Sequence, residues 1–182
     1  MDIDIDLADR EQLLNVIPHR IAVLANGKKH NTGIYVTEIP HDPVTKHATI
    51  DYGKAEKRGY FKIDILNVGI YSHVKSRKHL IELANKEPLW ELLEYKEFVD
   101  NLFHLSGHHT LLQKTKPKNI EQLAAVLCMI RPAKKYLCDK PWDIIMQEVW
   151  TPPDNNEYYF KKSHAFSYAM AVIVHMNLLC EH

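Results

Sequence analysis

Two short runs near the start of the chain, DIDIDL and YFKIDIL, alternate apolar and charged residues with a period of two. A helix repeats its faces about every 3.6 residues, so this pattern dictates half-buried β-strands. In the first run Ile3, Ile5 and Leu7 point one way, while Asp2, Asp4 and Asp6 point the other. In the second, Phe61, Ile63 and Ile65 take the core face, with Lys62 and Asp64 opposite. If the two strands pair side by side, Asp4, Asp6 and Asp64 converge on one open sheet face. Two readings of that face stand. Alternating acids are often the solvated side of a strand. Carboxylates this crowded also repel one another, which points to bound cations. Oxygen-only ligands favour Mg²⁺ or Mn²⁺ over zinc, and paired ions of that kind support phosphoryl transfer.

The remaining pattern predicts an α+β fold, with a small, mostly antiparallel sheet followed by helices. ADREQLLNVI reads as a helix ending at Pro18, IAVLAN and GIYVTEI as strands, and NGKKHNTG as a turn. HATIDY and RGYFKIDIL read as a hairpin around GKAEKR. Ile70, Val74 and Ile81 form one helical stripe, and Pro88 opens a helix carrying Leu89, Trp90, Leu92 and Leu93. Asn119 with Gln122 forms a capping box for IEQLAAVLCMI, and a last helix starts at Ser163. The predicted organisation is a sheet region, 1–67, and a helical region, 68–182, packed as one compact unit.

Lys+Arg and Asp+Glu both number 23, so net charge argues against strong non-specific binding to nucleic acid. Basic groups at Lys28–Lys29, Lys54–Arg58, Lys75–Lys78, Lys114–Lys118 and Lys134–Lys135 are either solvated faces or a surface that tracks phosphates. Cys128, Cys138 and Cys180 fit neither a disulfide framework nor a CxxC pattern, and read as small apolar residues of a cytoplasmic protein. The chain enters its first strand at once, so no secretory signal is expected. The apolar stretch within Ala165–Leu179 contains Ser167, His175 and Asn177, which predicts a buried helix and no membrane span. His104 and His108, one helical turn apart, lack the HExxH or Cys partners of a zinc site and read as structural.

Five segments, in order, resemble the palm and fingers of the C-family bacterial replicative DNA polymerases, the polymerase III alpha subunits. DIDIDLADREQ resembles the family's DxD strand and helix, placing two metal-binding acids on Asp4 and Asp6. KHNTGIYVTEI is similar to a KHAGG-type strand, with His30 and Gly33 at matching places. GYFKIDILNVG resembles the strand of the third catalytic aspartate, here Asp64, with Lys62 in the place of an active-site lysine. FHLSGHHTLLQKTKPKNIEQLAAVLCMIRP resembles an FQLES…RP stretch ending at Arg131 and Pro132. YYFKKSHAFSYAMA is similar to a fingers segment, placing Lys162, Ser163, His164 and Tyr168.

The resemblance implies a palm-like, nucleotidyltransferase-type sheet and a fingers-like helical part. Asp4, Asp6 and Asp64 would hold Mg²⁺ or Mn²⁺, with Lys62 completing the catalytic group. Arg131, Lys162, Ser163 and His164 would bind substrate. Departures from the family are equally clear. From the resemblance, the thumb, the clamp-binding region and the Gly-Ser helix start that cradles a triphosphate are expected to be missing, and Gly107-His108-His109 replaces an expected basic pair. Three functions follow as alternatives: a minimal polymerase-like nucleotidyltransferase, an inactive polymerase-derived module that binds DNA or a replication partner, and a two-metal nucleotide or DNA-end hydrolase. The partners implied are a nucleoside triphosphate, DNA, or a second protein chain supplying the missing parts.

Overall fold

A computed structural model describes residues 3–153 and 159–181, so Asp2 and Tyr158 lie outside the described residues. The chain divides into two compact units, Met1–Ser72 and His73–His182. Together they make an α+β protein. The first unit runs β1 (Ile3–Leu7), α1 (Arg10–Leu14), β2 (Arg20–Val23), β3 (Lys29–Tyr35), β4 (His47–Asp51), α2 (Tyr52–Lys57) and β5 (Ile63–Asn67), and a 3₁₀ turn follows at Gly69–His73. Its five strands form one sheet in the order β1-β5-β3-β2-β4.

The sheet is mixed, which corrects the expectation of a mostly antiparallel one: β1–β5 and β2–β4 are parallel, and β2–β3 and β3–β5 antiparallel. The expected hairpin around GKAEKR is also absent. That segment is α2, because the Asp51 side chain accepts the Lys54 N–H and caps a helix where a turn was expected. The chain then crosses from the β4 edge to a position beside β1. A core of Ala22, Tyr35, Ile39, Ala48 and Ala55, joined by Ile50 and Tyr60, lies within this unit. Ile3 and Ile5, expected to be core-facing, are 39% and 37% exposed. Their strand is at the sheet edge, where it has one neighbour only.

The second unit contains α3 (Arg77–Asn85), α4 (Lys96–Asp100), α5 (His109–Thr115), α6 (Ile120–Met129), α7 (Trp142–Glu148) and α8 (Lys162–Leu179), with 3₁₀ segments at Trp90–Glu94 and Pro132–Asp139. Every residue of α6 from Leu123 to Met129 is buried, against α8 residues Ala165, Ala169, Val172, Ile173 and Met176. A helix apolar on all sides belongs inside a core, and this one is. Asn119 caps it by accepting the Gln122 N–H at 2.9 Å. Gln122 accepts in return from Lys118, one residue before the cap.

Three other helical expectations fail for local reasons. Ser76 caps α3 by accepting the His79 N–H, so Ile70, Val74 and Ile81 share no continuous helix, and Ile81 is exposed. The segment after Pro88 makes only the short 3₁₀ turn, burying Leu93 and leaving Leu89 exposed. His104 has φ of 59°, a left-handed conformation that breaks any helix through His104 and His108. Among the described residues no helix is long and apolar enough to cross a membrane.

Asn177 is buried in the middle of α8's apolar surface and donates to the carbonyls of Leu83 and Lys86, at 2.9 and 2.8 Å. These bonds satisfy the C-terminal end of α3. Replacing Asn177 with Leu strands those carbonyls, and should cost about 2 kcal/mol or more of stability. Urea midpoints of Asn177→Leu against the exposed-site control Met170→Ala check this. A second expectation concerns pH. His175 accepts the Phe103 N–H at 3.1 Å on Nδ1, and burial followed by the charge of His73 lowers its pKa. His104 and His108 are lowered by burial and by Arg131. A folded-state pKa below the unfolded value makes the neutral ring's contribution complete above about pH 6.5 and lost as pH falls below it. Unfolding free energy should therefore drop as pH falls below about 6.5, and less steeply in His175→Gln.

Candidate functional site

The parallel register of β1 and β5 sets Asp4 directly beside Asp64, with Ile3 against Ile63 and Ile5 against Ile65. Partners in register share a face, and so do residues two apart, so Asp4, Asp6 and Asp64 all lie on one side of the sheet. Lys62, just before β5, belongs to that side too. The pairing is tied at its end by Val68 N–H to Leu7 C=O, at 2.7 Å. Just beyond, the Arg10 N–H donates to Asn67 Oδ1 at 2.9 Å. The Arg10 guanidinium donates to the Asn31 carbonyl, which fixes the start of α1 against two strands.

On the other flank of Asp64 lies β3, with Gly33 as its cross-strand partner. Here the register is irregular. Ile21 pairs with Ile34 and Val23 with Lys29, so two steps along β2 answer five along β3. The extra residues bulge, and a bulge re-aims side chains. This one turns the Thr32 hydroxyl onto Asp64 Oδ1, donating at 2.7 Å. It also folds the chain around His30, whose Nδ1 accepts the backbone N–H of Gly33 at 2.9 Å and of Thr32 at 3.3 Å.

His30 Nδ1 lies 3.6 Å from Asp64 Oδ1. A nitrogen already accepting from amides has no proton to give, so that contact is not an ion pair. Burial first, then the charge of Lys62, lowers the His30 pKa. The ring is neutral, with its proton on Nε2.

The cation at this site is Lys62, whose ammonium donates to Asp64 Oδ2. Both side chains are largely covered, 17% and 15% exposed. Tyr52, the first residue of α2, closes over them: its ring lies 5.9 Å from Lys62 Nζ and meets the His30 ring edge-on, with centroids 5.5 Å apart. Beneath the lysine stem is Gly33. A Cβ there would come within 2.8 Å of Lys62 Cδ, 3.0 Å of His30 Nδ1 and 3.2 Å of Ala22 Cβ. Asp6 has Tyr71 nearby, and the tyrosine's pKa is raised by burial and by that carboxylate.

By donor chemistry the three aspartates suit a hard cation such as Mg²⁺ or Mn²⁺, since all offer oxygen alone. The two Asp64 oxygens are engaged by Thr32 and Lys62, and among the described residues no three His, Cys, Asp or Glu side chains form a group ready to hold a metal ion. The acids make a face rather than a closed cage.

The remaining expected site residues belong to the second unit. The Arg131 guanidinium stacks 4.7 Å over the Phe160 ring, and its Nε is buried with no hydrogen-bond partner among the described residues. The His164 ring lies against the same phenylalanine, centroids 6.4 Å apart, so Arg131 and His164 meet around Phe160. Phe160 continues to Tyr168 at 5.2 Å, and Tyr168 to His104 at 4.6 Å. Lys162 sits elsewhere, over Trp150 at 5.5 Å and Phe166 at 5.7 Å. Ser163 is exposed near the start of α8, and its carbonyl accepts from Ser167. Cations over aromatic faces keep their charge while covering apolar surface. Thr32 and Tyr52 had no signal of their own in the sequence, because one depends on the β3 bulge and the other on α2.

No protein-family model matches this chain, and no curated protein matches it.

Gly33 gives the sharpest local test. Gly33→Ala forces a methyl against Lys62, His30 and Ala22, and should cost about 1–3 kcal/mol as overpacking does. Gly53→Ala, inside α2 with its nearest new contact 3.4 Å away, should be neutral or stabilising by up to about 1 kcal/mol. Parallel denaturant titrations of the two variants check the contrast.

Proposed function

We propose that this chain is a polymerase-like nucleotidyltransferase whose working groups are Asp4, Asp6, Asp64 and Lys62. The observation that carries the reading is the in-register pairing of Asp4 with Asp64, with Asp6 on the same face and Lys62 paired to Asp64. Asp4, Asp6 and Asp64 would hold Mg²⁺ or Mn²⁺, which would activate an attacking hydroxyl and neutralise the leaving phosphates. The chain's own groups do the positioning. Thr32 and Lys62 fix the Asp64 carboxylate from both oxygens, and Arg10 anchors the helix that follows the DxD strand.

Five segments in the family's order support kinship with C-family polymerases, although kinship alone does not assign chemistry. On this reading the sheet is the palm and the helical unit the fingers. Arg131, Lys162, Ser163 and His164 are the groups for a triphosphate, with the charges of Arg131 and Lys162 held over aromatic rings. Substrates are a nucleoside triphosphate and a DNA end in the cytoplasm, and a second protein chain would supply thumb-like contacts.

The engagement of both Asp64 oxygens by the chain itself favours a second reading, a polymerase-derived module that binds DNA without catalysis. Primer-extension and terminal-addition assays with Mn²⁺ separate the two. Catalysis predicts product with the parent, a loss of about 100-fold or more in Asp64→Ala and Asp4→Ala, and full activity in Asp143→Ala on α7. Product undiminished in Asp64→Ala would rule the catalytic reading out. DNA retained by a parent that forms no product would establish the binding module instead.

A further inference from the structure

We propose that Lys62 is the resident cation of the carboxylate face, held in a slot built by Gly33, His30 and Tyr52, so that a divalent ion binds there only in competition with an ammonium of the chain itself. The inference rests on reading Asp4, Asp6 and Asp64 as ion ligands and goes beyond it, because it assigns three further residues a positioning role and predicts the sign of an affinity change.

An exposed lysine swings freely through many rotamers and loses ordering entropy when fixed. Lys62 has little of that freedom. Its stem passes so close over Gly33 that no methyl fits between them. One wall of its path is the His30 ring, which two backbone N–H groups hold through Nδ1. The Tyr52 ring covers it, edge-on to His30 and facing Nζ. At the far end Nζ meets Asp64 Oδ2, while Thr32 on Oδ1 keeps the carboxylate turned toward it. Four residues on two separate elements, His30, Thr32 and Gly33 of β3 and Tyr52 of α2, thus frame one ammonium and its carboxylate. A simple countercharge would require none of them.

Two consequences follow. Asp64 keeps a counter-ion without a metal, so its carboxylate stays fixed between Lys62 and Thr32. An arriving divalent ion must either push Nζ aside or accept a like charge beside it, and its affinity is correspondingly reduced.

The test compares Mn²⁺ binding to the full chain, stripped with chelator, for the parent, Lys62→Met and Lys62→Arg. Free Mn²⁺ is read by its electron paramagnetic resonance signal. Lys62→Met keeps the stem and removes the charge. It should bind Mn²⁺ about 10-fold more tightly than the parent, melt at a lower temperature in chelator, and regain the difference when Mn²⁺ is added. Lys62→Arg should bind like the parent.

A parent that binds Mn²⁺ while Lys62→Met binds it equally or more weakly overturns the inference and leaves the nucleotidyltransferase reading standing. No Mn²⁺ binding by either chain defeats both. If Lys62→Met does not fold, Tyr52→Ala uncovers the lysine and Gly33→Ala crowds its stem out of place, and both should tighten Mn²⁺ binding in the same direction, by about 3-fold. Unchanged or weaker affinity in both would overturn the inference as well.

Discussion

The parallel pairing of β1 with β5 is the constraint from which the rest of the site follows. A strand alternates its side chains with period two, so a slip of one residue would send Asp4 and Asp6 to the apolar side and bring Ile3 and Ile5 beside Asp64. The pairing is anchored by Val68 to Leu7 at its end, and by Arg10 reaching Asn67 and Asn31 from α1. It also requires β5 to run beside β1 rather than beside β4. The capping of α2 by Asp51 serves that purpose, turning what would have been a hairpin into a crossover.

Within the acid face, Asp64 is the carboxylate whose charge is met by the chain itself. Asp64 is met by one hydroxyl and one ammonium, and the histidine beside it is neutral because its acceptor nitrogen is used by the backbone. Elsewhere the chain pairs cations with aromatic faces, as with Arg131 on Phe160 and Lys162 on Trp150 and Phe166. Lys62 thus meets a carboxylate, whereas Arg131 and Lys162 lie over rings, which leaves their charge available to an anion.

Period and capping made much of this legible in the sequence. The alternation in DIDIDL and YFKIDIL identified both strands and the shared face of Asp4, Asp6 and Asp64. The capping box of Asn119 with Gln122 anticipated the start of α6. Strand direction was not legible, because whether neighbouring strands run parallel depends on how long the crossover is and which edge it reaches. Neither was the slot around Lys62. Thr32 reaches Asp64 only through a register shift in β3, and Tyr52 reaches Lys62 only because GKAEKR became helical. The stripe of Ile70, Val74 and Ile81 misled because Ser76 offered a local cap that restarted the helix.

The exposed isoleucines of β1 bear on solubility. An edge strand with Ile3 and Ile5 uncovered is the kind of surface on which proteins aggregate by adding strands. Asp4 and Asp6, on the opposite side of the same strand, oppose this: a second copy pairing along the edge would bring its own acids against them. The carboxylates of β1 therefore oppose self-association at this edge. Neutralising them would change the colloidal behaviour of the molecule, leaving an apolar edge strand with no charge to repel a second copy.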